Sequence, residues 1–264
     1  MTGADTMSSN LSVDVVIPTF NRKDALERCL SALEHQSIPP RSITVIDDSD
    51  DDHGPAISRN KGWRKGSAPI VAFTDDDCVP RFDWIEKIML SFGEDSVDAI
   101  EGSVTSEIEG LMTSMDPHPK DRWNRFKTAN MAYKRVVLED LNGFDERYYI
   151  HREDTDLAWR AIKSGYNVKW APDCVVHHPD RSGVERDRAR SELLLFNLDR
   201  KKYVEVAAGM ISIQKILNGD WARRRAMMRS YKDEYVSPLT RLESARLWSV
   251  SLPVSYTHLT LPTT

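Results

Sequence analysis

Three short apolar runs, each ending on polar residues and each followed by a helical pattern, constrain this chain more than any other feature. Residues 13–17, Val-Asp-Val-Val-Ile, stop at Pro18, and residues 42–46, Ser-Ile-Thr-Val-Ile, run into a cluster from Asp47 to Asp52. Residues 68–74 close on three consecutive carboxylates, Asp75-Asp76-Asp77. After the first run, Leu26, Cys29, Leu30 and Leu33 recur at i, i+3, i+4 and i+7, which predicts one apolar face of a helix over residues 23–36. Residues 55–65 and 81–92 read as further helices, the second with Trp84, Ile85, Ile88 and Met89 inward. The order β-α-β-α-β-α predicts parallel strands joined by crossover helices, an α/β fold with a mostly parallel sheet.

In such sheets, ligands bind beyond the carboxyl ends of the strands, where the acidic residues fall. Side chains alternate along a strand, so Asp75 and Asp77 are expected to point the same way. Convergent carboxylates repel unless a cation sits between them, and hard oxygen donors suit Mg²⁺ or Mn²⁺, which in turn bind phosphate oxygens. Taken alone, an Asp triplet is equally a solvated acidic turn.

Past residue 97 the pattern loosens. Residues 107–127 read as a loop able to cover a site. Residues 131–141 read as a helix stopped by Asn142-Gly143, and residues 153–164 as another stopped by Gly165. Short strands are expected at 166–170 and 174–176, and helices from residue 185 onward.

The 264 residues, 40% of them hydrophobic, suffice for one substantial core plus an appendage. No apolar stretch approaches the length of a membrane span, and residues 1–11 read as a flexible, polar N-terminus without a signal-peptide pattern. Cys29, Cys78 and Cys174 are odd in number and widely spaced, which points to a reducing cytosol and against a disulfide framework or structural zinc. The net charge of −5 is unevenly spread. Residues 181–253 hold 15 Lys/Arg against 9 Asp/Glu, a net of +6, leaving 21 basic and 32 acidic side chains, a net of −11, elsewhere. An acidic body is no nucleic-acid-binding pattern, whereas the basic helical extension could seek an anionic surface. Residues 254–264 carry no formal charge, break the preceding pattern and resemble the in-frame translation of a sequencing-library adapter. They are expected to be non-native.

Seven segments occur in an order that carries a resemblance. They are Val16-Ile-Pro-Thr-Phe-Asn-Arg22, Val45-Ile-Asp-Asp-Ser49, Pro55-Ala-Ile-Ser-Arg-Asn60, Phe73-Thr-Asp-Asp-Asp77, Thr128-Ala-Asn-Met-Ala132, Gly143-Phe-Asp-Glu146 and Arg152-Glu-Asp-Thr-Asp-Leu157. Together they resemble the family 2 glycosyltransferases of the GT-A fold over roughly residues 13–178. The resemblance implies a GT-A catalytic domain over residues 12–180, followed by the helical extension 181–253. It also implies transfer of a sugar, with inversion, from a nucleotide-diphosphate-sugar to an acceptor hydroxyl. The acceptor is a glycan or a lipid-linked, cell-envelope molecule, and the enzyme is cytoplasmic, with peripheral membrane contact through the basic extension as one reading of it.

The family pattern assigns roles residue by residue. Asp75 and Asp77 would hold Mn²⁺ or Mg²⁺, with His178 (or its neighbour His177) completing the shell; a surface His pair is the other reading. A cation there would neutralise the leaving diphosphate where charge develops. Pro18, Thr19, Asn21, Arg22, Asp47, Asp48, Arg59, Asp76 and Asn130 would contact the nucleotide-sugar, and Asp47 or Asp48 would accept a base N–H or ribose hydroxyl. Arg59 is also readable as an ordinary exposed helix arginine. Asp154, with Glu153 beside it, would take the proton from the acceptor hydroxyl; as acids at a helix start, both also suit the helix dipole. Trp123 and Trp170 read as core residues before they read as a sugar-stacking wall.

One departure stands out. Family members place a further helix and strand between the second acidic cluster and the Pro-Ala-x-x-Arg-Asn segment, where this chain has only residues 50–54. The omitted strand is expected to be an edge strand, so the fold survives with an altered nucleoside wall. A sugar nucleotidyltransferase would want a glycine-rich loop after the first strand, and residues 18–22 contain no glycine. A non-catalytic nucleotide- or glycan-binding protein of the same fold is the alternative from another class.

Overall fold

The computed structural model describes residues 11–94, 96–108, 111–114, 126–179, 189–199 and 202. Expectations for residues 1–10, for most of the basic extension, for the adapter-like end and for Trp123 lie outside them.

The chain divides into two units, residues 1–116 with 125–184, and residues 117–124 with 185–264. The second contributes one described helix, which is α6 below. The first is built on an eight-stranded sheet: β1 (Val13–Thr19), β2 (Ser42–Asp47), β3 (Ile70–Phe73), β4 (Val79–Pro80), β5 (Ala99–Ile108), β6 (Leu111–Ser114), β7 (Met131–Lys134) and β8 (Val168–His177). The helices are α1 (Lys23–Glu34), α2 (Pro55–Trp63), α3 (Trp84–Ser91), α4 (Arg135–Asp140), α5 (Glu153–Lys163) and α6 (Ala189–Leu198). The strands lie in the order β2-β1-β3-β7-β5-β8-β4, with β6 paired to β5.

The expected parallel unit is present: β1 pairs in parallel with both β2 and β3. Beyond it the sheet is mixed, because β7 runs antiparallel to β3 and β5, and β4 antiparallel to β8. Val13, Val15 and Ile17 of β1 pack with Cys29 and Leu33 of α1 and with Trp84, Ile85 and Ile88 of α3. Such continuous burial suits a strand covered on both faces. Asp14 is the polar exception in β1, and its carboxylate is fully employed. It accepts from Ser42 Oγ at 2.6 Å, Ala68 N at 2.7 Å and Arg135 Nη2 at 2.8 Å. That knot ties β1, β2, the approach to β3 and α4 together at the end of the sheet opposite the Asp triplet. β2 forms one edge of the sheet, so omitting a strand beyond it leaves the pairing intact.

Three expectations are corrected. Residues 131–141 are not one helix: Met131–Lys134 form a strand paired on both sides, and the helix begins at Arg135. Two flanking partners outweigh a local pattern compatible with either period. Residues 107–108 and 111–114 are not loop but the end of β5 and all of β6, paired antiparallel with each other. The two strands expected at 166–170 and 174–176 are one, β8. Its register against β5 jumps between Gly102, opposite Ala171, and Ser103, opposite Val175. Pro172 sits in that bulge, lacks an N–H for the ladder, and made the sequence read as two strands.

Candidate active site

The carboxyl ends of β1 and β3 meet in a hydrogen-bonded cluster. Thr19 Oγ1 donates to Asp76 Oδ2 at 2.8 Å, and Arg22 Nη1 donates to Asp76 Oδ1 at 2.9 Å. Arg22 also lies 3.5 Å from Asp77 Oδ2. Asp76 lies in the turn that follows β3 and is turned into the protein, with 3% exposure.

Asp75 and Asp77 do share a direction. With Cys78 and His178 they form a group whose possible ligand atoms all lie within 4.8 Å of one another. His178 Nδ1 is 2.8 Å from the Pro179 carbonyl oxygen, which only accepts, so a neutral ring carries its proton there. Its Nε2 then presents a lone pair toward Asp77 Oδ1, 3.7 Å away. A ring fixed by a carbonyl at one nitrogen and open at the other is how metal-ligating histidines are oriented. The Cys78 thiol is pushed well up by burial and then by the Asp75 charge, which keeps it protonated and a weak ligand. Two carboxylates and an imidazole fit Mn²⁺ or Mg²⁺ better than a soft metal.

Arg59 of α2 joins this cluster to α5. It is 3% exposed, with Nη2 donating to Asp75 Oδ1 at 2.8 Å and Nη1 donating to Glu153 Oε1 at 2.8 Å. Its guanidinium stacks over Phe144 at 5.7 Å. Burial works against the charge, but Asp75 and Glu153 outweigh it, and the Arg59 pKa is raised. α5 is entered through two consecutive non-glycine residues in the left-handed region, His151 (φ 83°) and Arg152 (φ 71°). Each costs ~1–3 kcal/mol and persists only where surrounding contacts hold it. The Arg59–Glu153 bond, on the next residue, is one such contact.

Asp154 follows Glu153 and is a half-buried residue, while the protein around it is dense. Its Oδ1 accepts from Thr155 N at 2.6 Å and from Thr155 Oγ1 at 3.2 Å. Burial and then the Glu153 charge push its pKa up to about 7, against the pull of Arg152, the Thr155 N–H and Arg59. A carboxylate poised near neutrality is suited to accept a proton. Asp156, two residues on, belongs to the structure: Arg160 Nε donates to its Oδ2 at 2.7 Å and Tyr148 Oη to its Oδ1 at 3.2 Å.

The structure separates Asp47 from Asp48. Asp48 is buried and pins the short 48–54 connection, accepting from Gly54 N at 2.8 Å and contacting His53 Nδ1 at 3.0 Å. Asp47 is exposed; hydrogen bonds from the Ser49 hydroxyl and Ser49 N hold its pKa below the usual range. Ser49 Oγ in turn accepts from Asn21 N at 2.9 Å, so Asn21, Ser49 and Asp47 form one polar rim beside half-buried Pro18. Asn130 is placed differently from a surface contact. It is 1% exposed; its Nδ2 donates to Ser103 O at 2.7 Å and Cys174 O at 2.8 Å, and its Oδ1 accepts from Trp84 Nε1 at 2.8 Å. Those partners make it a polar post within the sheet. His177 lies on β8 with a buried Nδ1, apart from the His178 group. Sequence reasoning missed Cys78 as a neighbour of the acidic group and missed the Arg59 bridge; the Arg-Asn segment held the only signal for the latter.

This fold and this acidic cluster define an α/β protein of the GT-A type. The sequence matches the family model "Glycosyl transferase family 2" over residues 14–57 and 50–142, two segments that meet at the shortened connection. The chain belongs to that family. It is 26% identical over 212 residues to glycosyltransferase AglE of Haloferax volcanii, covering 66% of this chain and 69% of that protein. It is 28% identical over 214 residues to the pre-mycofactocin glycosyltransferase of Mycobacterium tuberculosis, covering 66% of this chain but 44% of that longer protein. Among solved structures, S. aureus TarS 1–349 in complex with UDP superposes with a TM-score of 0.59 at 15% identity, over 92% of this chain and 79% of that one.

Proposed function

We propose that this protein transfers a sugar, with inversion, from a nucleotide-diphosphate-sugar to an acceptor hydroxyl, with Asp154 as the general base. The observation that carries this reading is the ion-pair link, through Arg59, between Asp75 of a carboxylate group able to hold a cation and Glu153, the chain neighbour of the carboxylate poised to take a proton. The Asn21–Ser49–Asp47 rim receives the nucleoside, where an ionised Asp47 accepts from a base N–H or a ribose hydroxyl. UDP, named with TarS, makes a uridine nucleotide the first candidate. Asp75, Asp77 and His178 would hold Mn²⁺ or Mg²⁺, which when bound supplies positive charge for the departing diphosphate. Thr19 and Arg22 fix Asp76 so that its neighbours face the ligand. Asp154 removes the proton as the acceptor oxygen attacks the face of the anomeric carbon opposite the diphosphate, and that geometry inverts the configuration.

The acceptor is a glycan or lipid-linked molecule of the cell envelope, and the enzyme acts from the cytoplasm. No described helix is long and apolar enough to cross a membrane. Peripheral contact through residues 181–253 rests on their net charge of +6, with Arg223-Arg224-Arg225 beside Trp221. Salt-sensitive co-sedimentation with anionic vesicles supports it, and no binding at low salt removes it.

The decisive experiment is Asp154→Asn. Donor affinity should be kept while transfer falls by roughly 10²–10⁴-fold. An equal fall in donor affinity would make Asp154 a binding residue instead.

A further inference from the structure

We infer that Arg59 is a positioning residue that couples the cation group to the base-bearing helix, sharing one buried guanidinium between Asp75 and Glu153. The inference rests on the reading of Asp75 as a cation ligand and Asp154 as the base. Both terminal nitrogens of Arg59 are committed at 2.8 Å, one to each carboxylate; burial leaves little water to screen the bond to Glu153, while the Asp75 carboxylate stays partly exposed to a ligand. Glu153 sits beside Asp154 in the first turn of α5, and its other oxygen, Oε2, is buried without a hydrogen-bond partner. Glu153 therefore depends on Arg59 for compensation of its charge.

A shared guanidinium makes the two sides compete. A divalent cation on Asp75 draws that carboxylate away from Arg59, and the guanidinium then turns its hydrogen bonding and charge more fully to Glu153. The first turn of α5 tightens as the donor side fills, and by reciprocity the state of Glu153 alters cation affinity. This differs from a nucleotide contact by Arg59, since its side chain is enclosed and its terminal nitrogens are spent inside the protein.

Two variants remote from direct cation ligation should shift Mn²⁺ affinity in opposite directions. Arg59→Met removes a positive charge 2.8 Å from Asp75, so Mn²⁺ alone, followed by titration calorimetry without nucleotide, binds more tightly by about fivefold or more. Glu153→Gln keeps an oxygen for Arg59 but removes the negative charge that offsets it, so Mn²⁺ binds more weakly by a similar factor. In both variants transfer falls. If Arg59→Met leaves too much buried charge to fold, the Arg59→Met/Glu153→Gln double variant replaces it, with the same expected tightening relative to Glu153→Gln. A purely structural role moves Mn²⁺ affinity the same way in both variants, or not at all, and either result overturns the inference alone. Failure of the unaltered protein to bind Mn²⁺ overturns the cation reading together with the inference.

Discussion

Thr19 and Asp76, 57 positions apart in the chain, are joined by a buried 2.8 Å hydrogen bond that makes the ends of β1 and β3 one unit. The bond is charge-assisted, since a hydroxyl donates to an ionised carboxylate, and Arg22 occupies the other oxygen. Thr19→Val preserves the shape and removes the donor. It should lower unfolding free energy by ~1.5–3 kcal/mol, as read from urea denaturation. It should also weaken Mn²⁺-dependent nucleotide binding, because Asp76 sets the direction of its neighbours. Unchanged stability in that variant would mean that Arg22 alone holds Asp76.

Asp77→Asn tests the cation group itself. The substitution removes charge at a side chain that is 8% exposed but keeps its volume, so the fold should persist. Thermal stabilisation by a nucleoside diphosphate plus Mn²⁺ should disappear, while any stabilisation by nucleotide alone remains. Full Mn²⁺-dependent stabilisation in the variant would remove Asp77 from the ligand set.

The raised pKa of Asp154 gives two pH signatures with defined signs. The base must be ionised, so kcat/KM should climb as pH rises through about 7. Glu153 is the largest charged cause of that elevation, after burial, so Glu153→Gln should move the limb to lower pH. For stability, the folded protein holds this proton more tightly than the unfolded chain does, whose Asp titrates near 3.9. Ionised Asp154 therefore costs nothing below about pH 4, costs progressively more up to about 7, and costs its full amount above that. Asp154→Asn should be more stable than the unaltered protein at about pH 8 by ~1 kcal/mol or more, and should lose that advantage at about pH 4. Thermal unfolding across that range checks it, and equal stability at both ends would contradict a raised pKa.

How much of this was legible in the sequence depends on how local the cause was. β1, α1, β2, α2 and β3 were readable because each carries its own apolar pattern and a polar stop, and the helix cap at Asn142-Gly143 was readable from chemistry alone (φ 55° and 67°). β7 was misread because Met131–Lys134 owes its conformation to strands from residues 70–73 and 99–101, contacts no local window contains. The Asp triplet announced itself. Strand alternation predicts that Asp75 and Asp77 converge, but it is not what brings them together, since β3 ends at Phe73 and the triplet lies in the turn beyond it. Arg59 could be flagged but not given its place, since its partners lie 16 and 94 residues away. Asn130 reads as a sugar or phosphate contact through the family resemblance of its Thr-Ala-Asn-Met-Ala segment. Its burial beneath Trp84, Ser103 and Cys174 is a tertiary fact.

The shortened connection supplies the last prediction. Residues 50–54, the short connection where the family resemblance led to an expectation of a further helix and strand, hold with Gly54 at φ 89° against Tyr149 of the loop that precedes α5. A Cβ at Gly54 would stand 2.2 Å from Tyr149 O and 3.1 Å from the Tyr149 ring, while Tyr149 Oη donates to Asp52 Oδ1 at 2.6 Å. Gly54 N also donates to Asp48 at 2.8 Å. Gly54→Ala thus meets both an unfavourable backbone angle and a backbone clash that no side-chain rotation relieves. The cheapest escape parts residues 48–54 from Tyr149, next to the left-handed entry at His151 and Arg152. The variant should lose ~1–3 kcal/mol of stability and, at temperatures where it stays folded, show a fall in kcat larger than its fall in donor affinity. Tyr149→Phe removes only the Asp52 bond and should show the milder form of the same pattern. A Gly54→Ala protein with normal turnover and lowered nucleotide affinity would place the effect of this connection on the nucleoside rim and not on the base.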